Sequence, residues 1–469
     1  MIQTLTQIDP QEAWQPAPDK KWDLKWAAHL YRRAAFGVPP RRGEAEREAT
    51  SWELIQRAIE QGRDAMIEEL LVGGPGQDAF DKLLDGLGQR FASSDEQLDK
   101  LQGWWLYRMV HTPHPLREQM TLFWHNHFAT SVSKVRRLSS MLGQNQLLRG
   151  HALGRFRPLL LAMVGDPAML VWLDGVNSVK GQPNENFARE LFELFSLGVG
   201  NYTETDIQEA ARALTGWRLD GDRAVFAADR HDDGQKTVFG QRGNWRDSDI
   251  VRIVLEQPAM GRFLARALFR QFISEVESPP DGLLEPLAEE LRKSDYDIAG
   301  CVRTILRSQI FYSEQAWRTR VKGPVDYVVG LLRRLDASVP VEVLATSMDG
   351  IGQSLFAPPN VKGWEGGRAW LNSATLVSRH NLAWRLVGGQ DPEFSSRVDL
   401  TRIVNKHGAD EPAALVEFLL NLLLDGDVSE ESRKLLVDFA NKDPGNKDEP
   451  KRLAELVHTI LVMPEYQLA

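Results

Sequence analysis

Histidine, asparagine, glutamate and arginine gather in four stretches of this sequence. TLFWHNHFAT, Thr121 to Thr130, sets His125, Asn126 and His127 in an aromatic frame. NENFARELFELFSLGVGNY, Asn184 to Tyr202, carries Asn186, Arg189, Glu190 and Glu193. RHDDGQKT supplies His231, Asp232, Asp233 and Lys236, and PPNVKGWEGGRAWLN supplies Asn360, Lys362, Trp364, Arg368, Trp370 and Asn372. Imidazole and carboxylate are the side chains that move protons or ligate a divalent metal ion, and guanidinium is the one that grips anions.

The first stretch reads as a helix begun by Pro115, since proline suits the first helical position. At about 100° per residue, Leu116, Met120, Phe123, Trp124 and His127 share one arc, and His125 points to the opposite side. Histidines two apart on a helix cannot chelate one ion together, so the pair is no ready metal clamp. His127 then has two readings: a satisfied core histidine, or a base or ligand whose pKa burial has moved. Either way it should be buried and make a specific hydrogen bond, with a carboxylate as the natural partner. His125 should face a different environment.

The second stretch places Phe187, Ala188, Leu191, Phe192, Leu194 and Phe195 on one arc and Glu185, Asn186, Arg189, Glu190, Glu193 and Ser196 on the other. Glu185–Arg189 and Arg189–Glu193 are favourable i, i+4 pairs, and Glu190 and Glu193 are spaced to share an ion. A solvated amphipathic face is the plainer alternative. Gly198 and Gly200 predict the stop, and a new helix restarts with Thr203 or Thr205 as its cap.

The other two stretches are irregular islands. A histidine–aspartate pair such as His231 and Asp232 holds metal or orients a general base, but it also suits a polar turn. Trp364 and Trp370 beside Asn360, Lys362, Arg368 and Asn372 suit sugars, peptides or other amphipathic ligands, or else a packed loop cementing two helices. The glycines there do not match a phosphate-binding Walker loop.

The elements that must position these groups are helical. Apolar residues recur at helical spacing from KWAAHLYRRAAFG to the C-terminal tail, and the fold class is mostly α: one large helical domain with a small β-hairpin insertion and an irregular Trp/Gly-rich loop. Strand patterning is confined to RAVFAAD and KTVFG, within 217–245. Residues 1–22 read as a flexible lead, 23–387 as the main helical domain and 388–469 as a C-terminal helical region with a charged linker, NKDPGNKDEPKR.

A formal net charge of -9 gives no footprint for wrapping nucleic acid or coating an anionic membrane. The single cysteine, Cys301, excludes an intramolecular disulfide and reads as a core thiol. RPLLLAMVGDPAMLVWL is the most apolar run, and Gly165, Asp166 and Pro167 break it short of a membrane span. With no secretory signal at its start, the chain is expected to be cytoplasmic as written, and periplasmic if its N-terminus was trimmed.

Taken together, HLYRRAAFG, FWHNHF, NENFARELFELFSLGVGNYTETDIQEAARALTGW, HDDGQKTVFGQRGNW, PPNVKGWEGGRAW and LNSATL resemble the bacterial family called domain of unknown function 1800. The resemblance runs from about Asp23 to the closing LVMPEYQ, and the opening is most similar to planctomycete-type members. It implies a partner or shared pathway with a sulfatase-like family whose genes are often neighbours, and many members carry secretion signals. It also implies that Asn184, Glu185, Asn186, Arg189, Glu190 and Glu193 belong to a family motif, as do His125, Asn126, His127, His231 and Asp232.

The leading expectation is an enzyme of hydrolytic or group-transfer type, with a polar cleft between the FWHNHF and NENFARE helices. His127, Arg189, Glu190 and His231 are the candidate catalytic residues. Asn126, Asn186, Lys362, Trp364, Arg368 and Trp370 are the candidate substrate-binding residues. His125, Glu193 and Asp232 are candidate ligands for a divalent metal ion. At least one of the glutamates should lie within reach of a histidine from HNH or HDD. The alternative is a non-catalytic scaffold, or a glycan- or protein-binding partner of a sulfatase-like protein.

Overall fold

The computed structural model describes residues 4–18, 22–388, 394–409, 411–442 and 449–469. Among these the protein is predominantly helical, and its β structure is two separate two-stranded antiparallel sheets. RAVFAAD and KTVFG do not pair with each other. Strand β1 (Trp217–Asp220) pairs with β2 (Arg223–Phe226), and β3 (Lys236–Val238) pairs with β4 (Gln241–Gly243). Each strand finds its nearest neighbour in sequence through a two-residue turn, Gly221–Asp222 in one case and Phe239–Gly240 in the other. Local closure of this kind costs less chain entropy than joining the two segments across the intervening loop.

Two hydrophobic cores organise the helices. One gathers Trp124, Phe128, Phe156, Phe187, Leu191, Phe192, Phe195 and Phe269. The other gathers Trp104, Trp105, Leu122, Tyr327, Leu382 and Val457, so the helices after Gly388 pack with the Leu98–His111, Pro324–Arg334 and Ser373–Val387 helices. The lead that was expected to be flexible packs into the first core through Leu5, Ala13, Trp14 and Ala17, and the Trp14 indole donates to the Leu283 carbonyl at 2.7 Å. The linker residues 443–448 fall outside the described residues. Cys301 is buried in the first core, and burial pushes its thiol well above the ordinary range, as a core thiol requires.

The Pro115–His127 helix stands where the cores meet. It starts on Pro115 as expected, gives Leu116, Met120 and Trp124 to one core and Leu122 to the other, and none of its residues is exposed. No helix among the described residues is long and apolar enough to cross a membrane.

Candidate active site

A cleft of about 610 Å³ opens beside this junction. Asn126 and His127 come from the Pro115–His127 helix, and Glu193 from the last turn of the Glu185–Glu193 helix. Lys362, Trp364 and Trp370 come from the Trp/Gly-rich loop. Six of the sequence candidates therefore converge. The cleft also takes Arg270, Glu275, Arg320 and Asp326, which nothing in their local patterns marked out. Asp326 sits in the first turn of its helix, where an acidic residue is ordinary dipole compensation.

Asn126 has a defined task. Its side-chain oxygen accepts from the Trp364 N–H at 2.7 Å and its amide donates to the Trp364 carbonyl at 3.3 Å. Gly363, at φ +77°, is what permits that approach: a Cβ there would lie 2.2 Å from the Asn126 oxygen. The pair fixes the tryptophan loop to the helix.

His127 is half-buried among Phe123, Trp124, Phe128, Phe195 and Phe263. Its Nε2 lies 3.0 Å from the Phe195 carbonyl oxygen, so the hydrogen bond goes to backbone and not to a carboxylate. A carbonyl can only accept, which puts the proton on Nε2 and leaves Nδ1 with the ring's free lone pair. Burial pushes the pKa down to about 4, against a smaller raising effect of the Phe195 bond, so the ring is neutral near pH 7. His125 does face a different environment. It is 1% exposed, boxed by Trp105, Phe356 and Trp364, and its Nε2 finds no hydrogen-bond partner in the protein.

The two glutamates are placed differently. Glu193 accepts from the Tyr202 hydroxyl at 2.8 Å, and burial first, then that bond, pushes the phenol up to about 12. Glu190 is half-buried. Desolvation raises its pKa, the neighbouring Glu193 raises it further, and Lys362 and Arg189 pull the other way. The one hydrogen bond of the Glu193 carboxylate described here goes to a tyrosine, not to a histidine.

The remaining candidates lie elsewhere. Arg189 turns outward to Glu204 at 2.8 Å and Glu185 at 3.3 Å, so the Glu185 pair forms and the Glu193 pair does not. Asn186 and Arg368 are exposed. His231 is buried, its Nδ1 3.0 Å from the Thr215 carbonyl, while Asp232 receives a two-pronged bond from Arg212 at 2.7 and 3.2 Å. That guanidinium holds the Asp232 carboxyl down to about 2. The Lys236 ammonium reaches back to the Asp232 and Gly234 carbonyls, so this motif knots the loop that leads into β3. The candidate metal ligands His125, Glu193 and Asp232 thus serve three unrelated sets of partners. Among the described residues no group of three or more histidine, cysteine, aspartate or glutamate side chains comes together as metal ligands would.

In comparison with known proteins, the profile of a family described as "Protein of unknown function (DUF1800)" matches residues 29–468. No curated protein and no solved structure matches the chain.

Proposed function

The chain belongs to the DUF1800 family, and from that premise we propose that it is an enzyme acting on a polar, hydroxyl-rich or peptide-like substrate in the cleft, by hydrolysis or group transfer. One observation carries the reading. Three separate stretches bring an imidazole, a carboxylate, a lysine and two indoles to one cleft, with a second carboxyl, Glu190, close enough to feel both Glu193 and Lys362. Paired carboxylates in unequal environments are how one site supplies both an acid and a base. Glu190, its pKa raised, is the acid in this reading. Glu193 is the base, and the neutral His127 accepts a substrate hydrogen bond at Nδ1. Trp364 and Trp370 offer apolar faces to the substrate, and Lys362 and Arg270 meet its anionic or carbonyl groups. Arg189, His231 and Asp232 are assigned to structure.

The test measures binding and turnover of a panel of oligosaccharides and short peptides by wild type, Glu190→Gln, Glu193→Gln and Trp370→Ala. The reading expects turnover to collapse in the glutamine variants and binding to weaken in Trp370→Ala, with melting temperatures unchanged. Variants that lose stability alone, while wild type turns over nothing in the panel, favour the scaffold. That second reading draws on Asn126, whose side chain is wholly occupied in holding the loop. A sulfatase-like partner protein is part of the same proposal on the strength of the family resemblance, and co-purification with such a protein tests it.

A further inference from the structure

Asp326 lines not only the cleft but also a second, much smaller cavity of about 20 Å³. Three cations line that cavity: Arg32 from the Leu24–Ala34 helix, Lys322, and Arg334 from the Pro324–Arg334 helix. Gly37, at φ +92°, lines it too. A Cβ on Gly37 would come within 3.6 Å of the Arg334 guanidinium, so glycine leaves that group uncovered on this side. With Lys322 protonated, the cations Arg32, Lys322 and Arg334 outnumber the carboxylates of Asp425 and Asp326 by one charge. Asp425, fully buried, is shared between Arg32 and Arg334. Asp326 already accepts from the Gln119 amide at 2.8 Å. Lys322 spends its ammonium on the Tyr466 carbonyl at 2.7 Å and on the face of the same ring.

Arg32 shows the deficit directly. Its side chain is 6% exposed, yet its Nε and Nη2 find no hydrogen-bond partner in the protein. Burial drives the Lys322 pKa well down, and Arg32, Arg334, Arg318 and Arg379 all push it the same way. A buried cation without a counter-charge is costly, and an anion in the cavity would relieve that cost while letting Lys322 keep its proton. A water molecule would satisfy the donors but not the charge. The cavity volume is that of about one water-sized sphere, which suits a monatomic ion better than phosphate or sulfate.

We propose that this cavity binds a single monatomic anion, chloride in the cell, held by Arg32, Lys322 and Arg334. The site is independent of the reaction assigned to the cleft, although Asp326 forms a wall of both.

The experiment uses the full chain, purified into gluconate buffer and titrated with chloride or bromide at constant ionic strength. Melting temperature should rise saturably with either halide, and not when sulfate replaces them. Crystals grown in bromide should show an anomalous peak among the three cations. Lys322→Gln should weaken the halide response by roughly tenfold, the loss of one charge contact. An equal response to every salt, a cavity without an anomalous peak, or an unchanged halide affinity in Lys322→Gln would each overturn the proposal. Should that variant fail to fold, the anomalous map of the wild type decides alone.

Discussion

Asn126 and Trp364 bond as two strands would, with both polar atoms of the asparagine side chain paired to the backbone N–H and carbonyl of the tryptophan. The contact joins residues 238 positions apart and makes the helix and the loop one wall of the cleft. Asn126→Ala removes both bonds, at about 1 kcal/mol each, and should free the loop. Gly363→Ala should be worse, because the new methyl has no room and the residue's φ is positive. Thermal melts and faster amide exchange across 360–370 check both. An Asn126→Ala protein with unchanged exchange in the loop would show that the loop holds itself.

How much of this was legible in the sequence depended on whether local pattern or tertiary packing decided the outcome. The Pro115 start and the cap at Thr203 or Thr205 are local matters of backbone hydrogen bonding; the first stands as read, and of the two threonines Thr203 is the cap. The helical arc set the two histidines in different surroundings, as they are, but it marked only His127 as buried. The helix lies between two cores, so His125, on the opposite side, is the more buried of the two. Glu275, Arg320 and Asp326 were illegible for a similar reason: only the packing of distant helices brings them to the cleft. Arg189 was over-read, since Glu204, on the next helix, lies outside the i, i+4 pattern.

Glu118 is fully buried and receives the Arg149 guanidinium at 2.6 and 3.0 Å and the Trp105 indole at 3.0 Å. Burial alone would raise its pKa, but Arg149, then Arg108 and Arg117, outweigh burial and hold it below the ordinary value. Its folded pKa being depressed, its contribution is present above about pH 4.3 and is lost as pH falls through the folded value. Glu118→Gln should cost about 3–5 kcal/mol at pH 7 by stranding Arg149, and should flatten part of the acid limb of a stability–pH curve. Denaturant melts between pH 3 and 7 would show whether that limb survives in the variant.

His125 gives a second pH dependence in a higher window. Burial pushes it down to about 4, against about 6.5 in the unfolded chain, so the unfolded state binds the extra proton between those values. Stability is fully present above about pH 6.5 and falls toward pH 4, by on the order of 3 kcal/mol for this group. His114 and His127 are pushed to about 4 as well and steepen the same slope. His125→Phe should reduce that slope whatever it does to absolute stability. A slope identical to wild type would mean that His125 takes up its proton at the same pH folded as unfolded.

Glu193 in the cleft and Glu190 one turn before it allow a test that needs no substrate. Glu190 feels desolvation, then Glu193, then Lys362, so each neighbour should move its titration in a known direction. Glu193→Gln removes a like charge and should lower the Glu190 pKa. Lys362→Ala removes an opposite charge and should raise it. Arg189→Ala should raise it less, since Arg189 is the smaller of the two cationic influences and is already paired with Glu204 and Glu185. As a partly exposed pairing, that arginine should also change global stability by no more than about 1 kcal/mol. Carboxyl carbon NMR shifts followed against pH in the four proteins give the values directly. Opposite shifts in Glu193→Gln and Lys362→Ala establish that the three groups act on one another, as an acid–base pair beside a cation must. A Glu190 that titrates at the same pH in all four proteins would place it outside the cleft's electrostatics, and the assignment of the acid would fall with it.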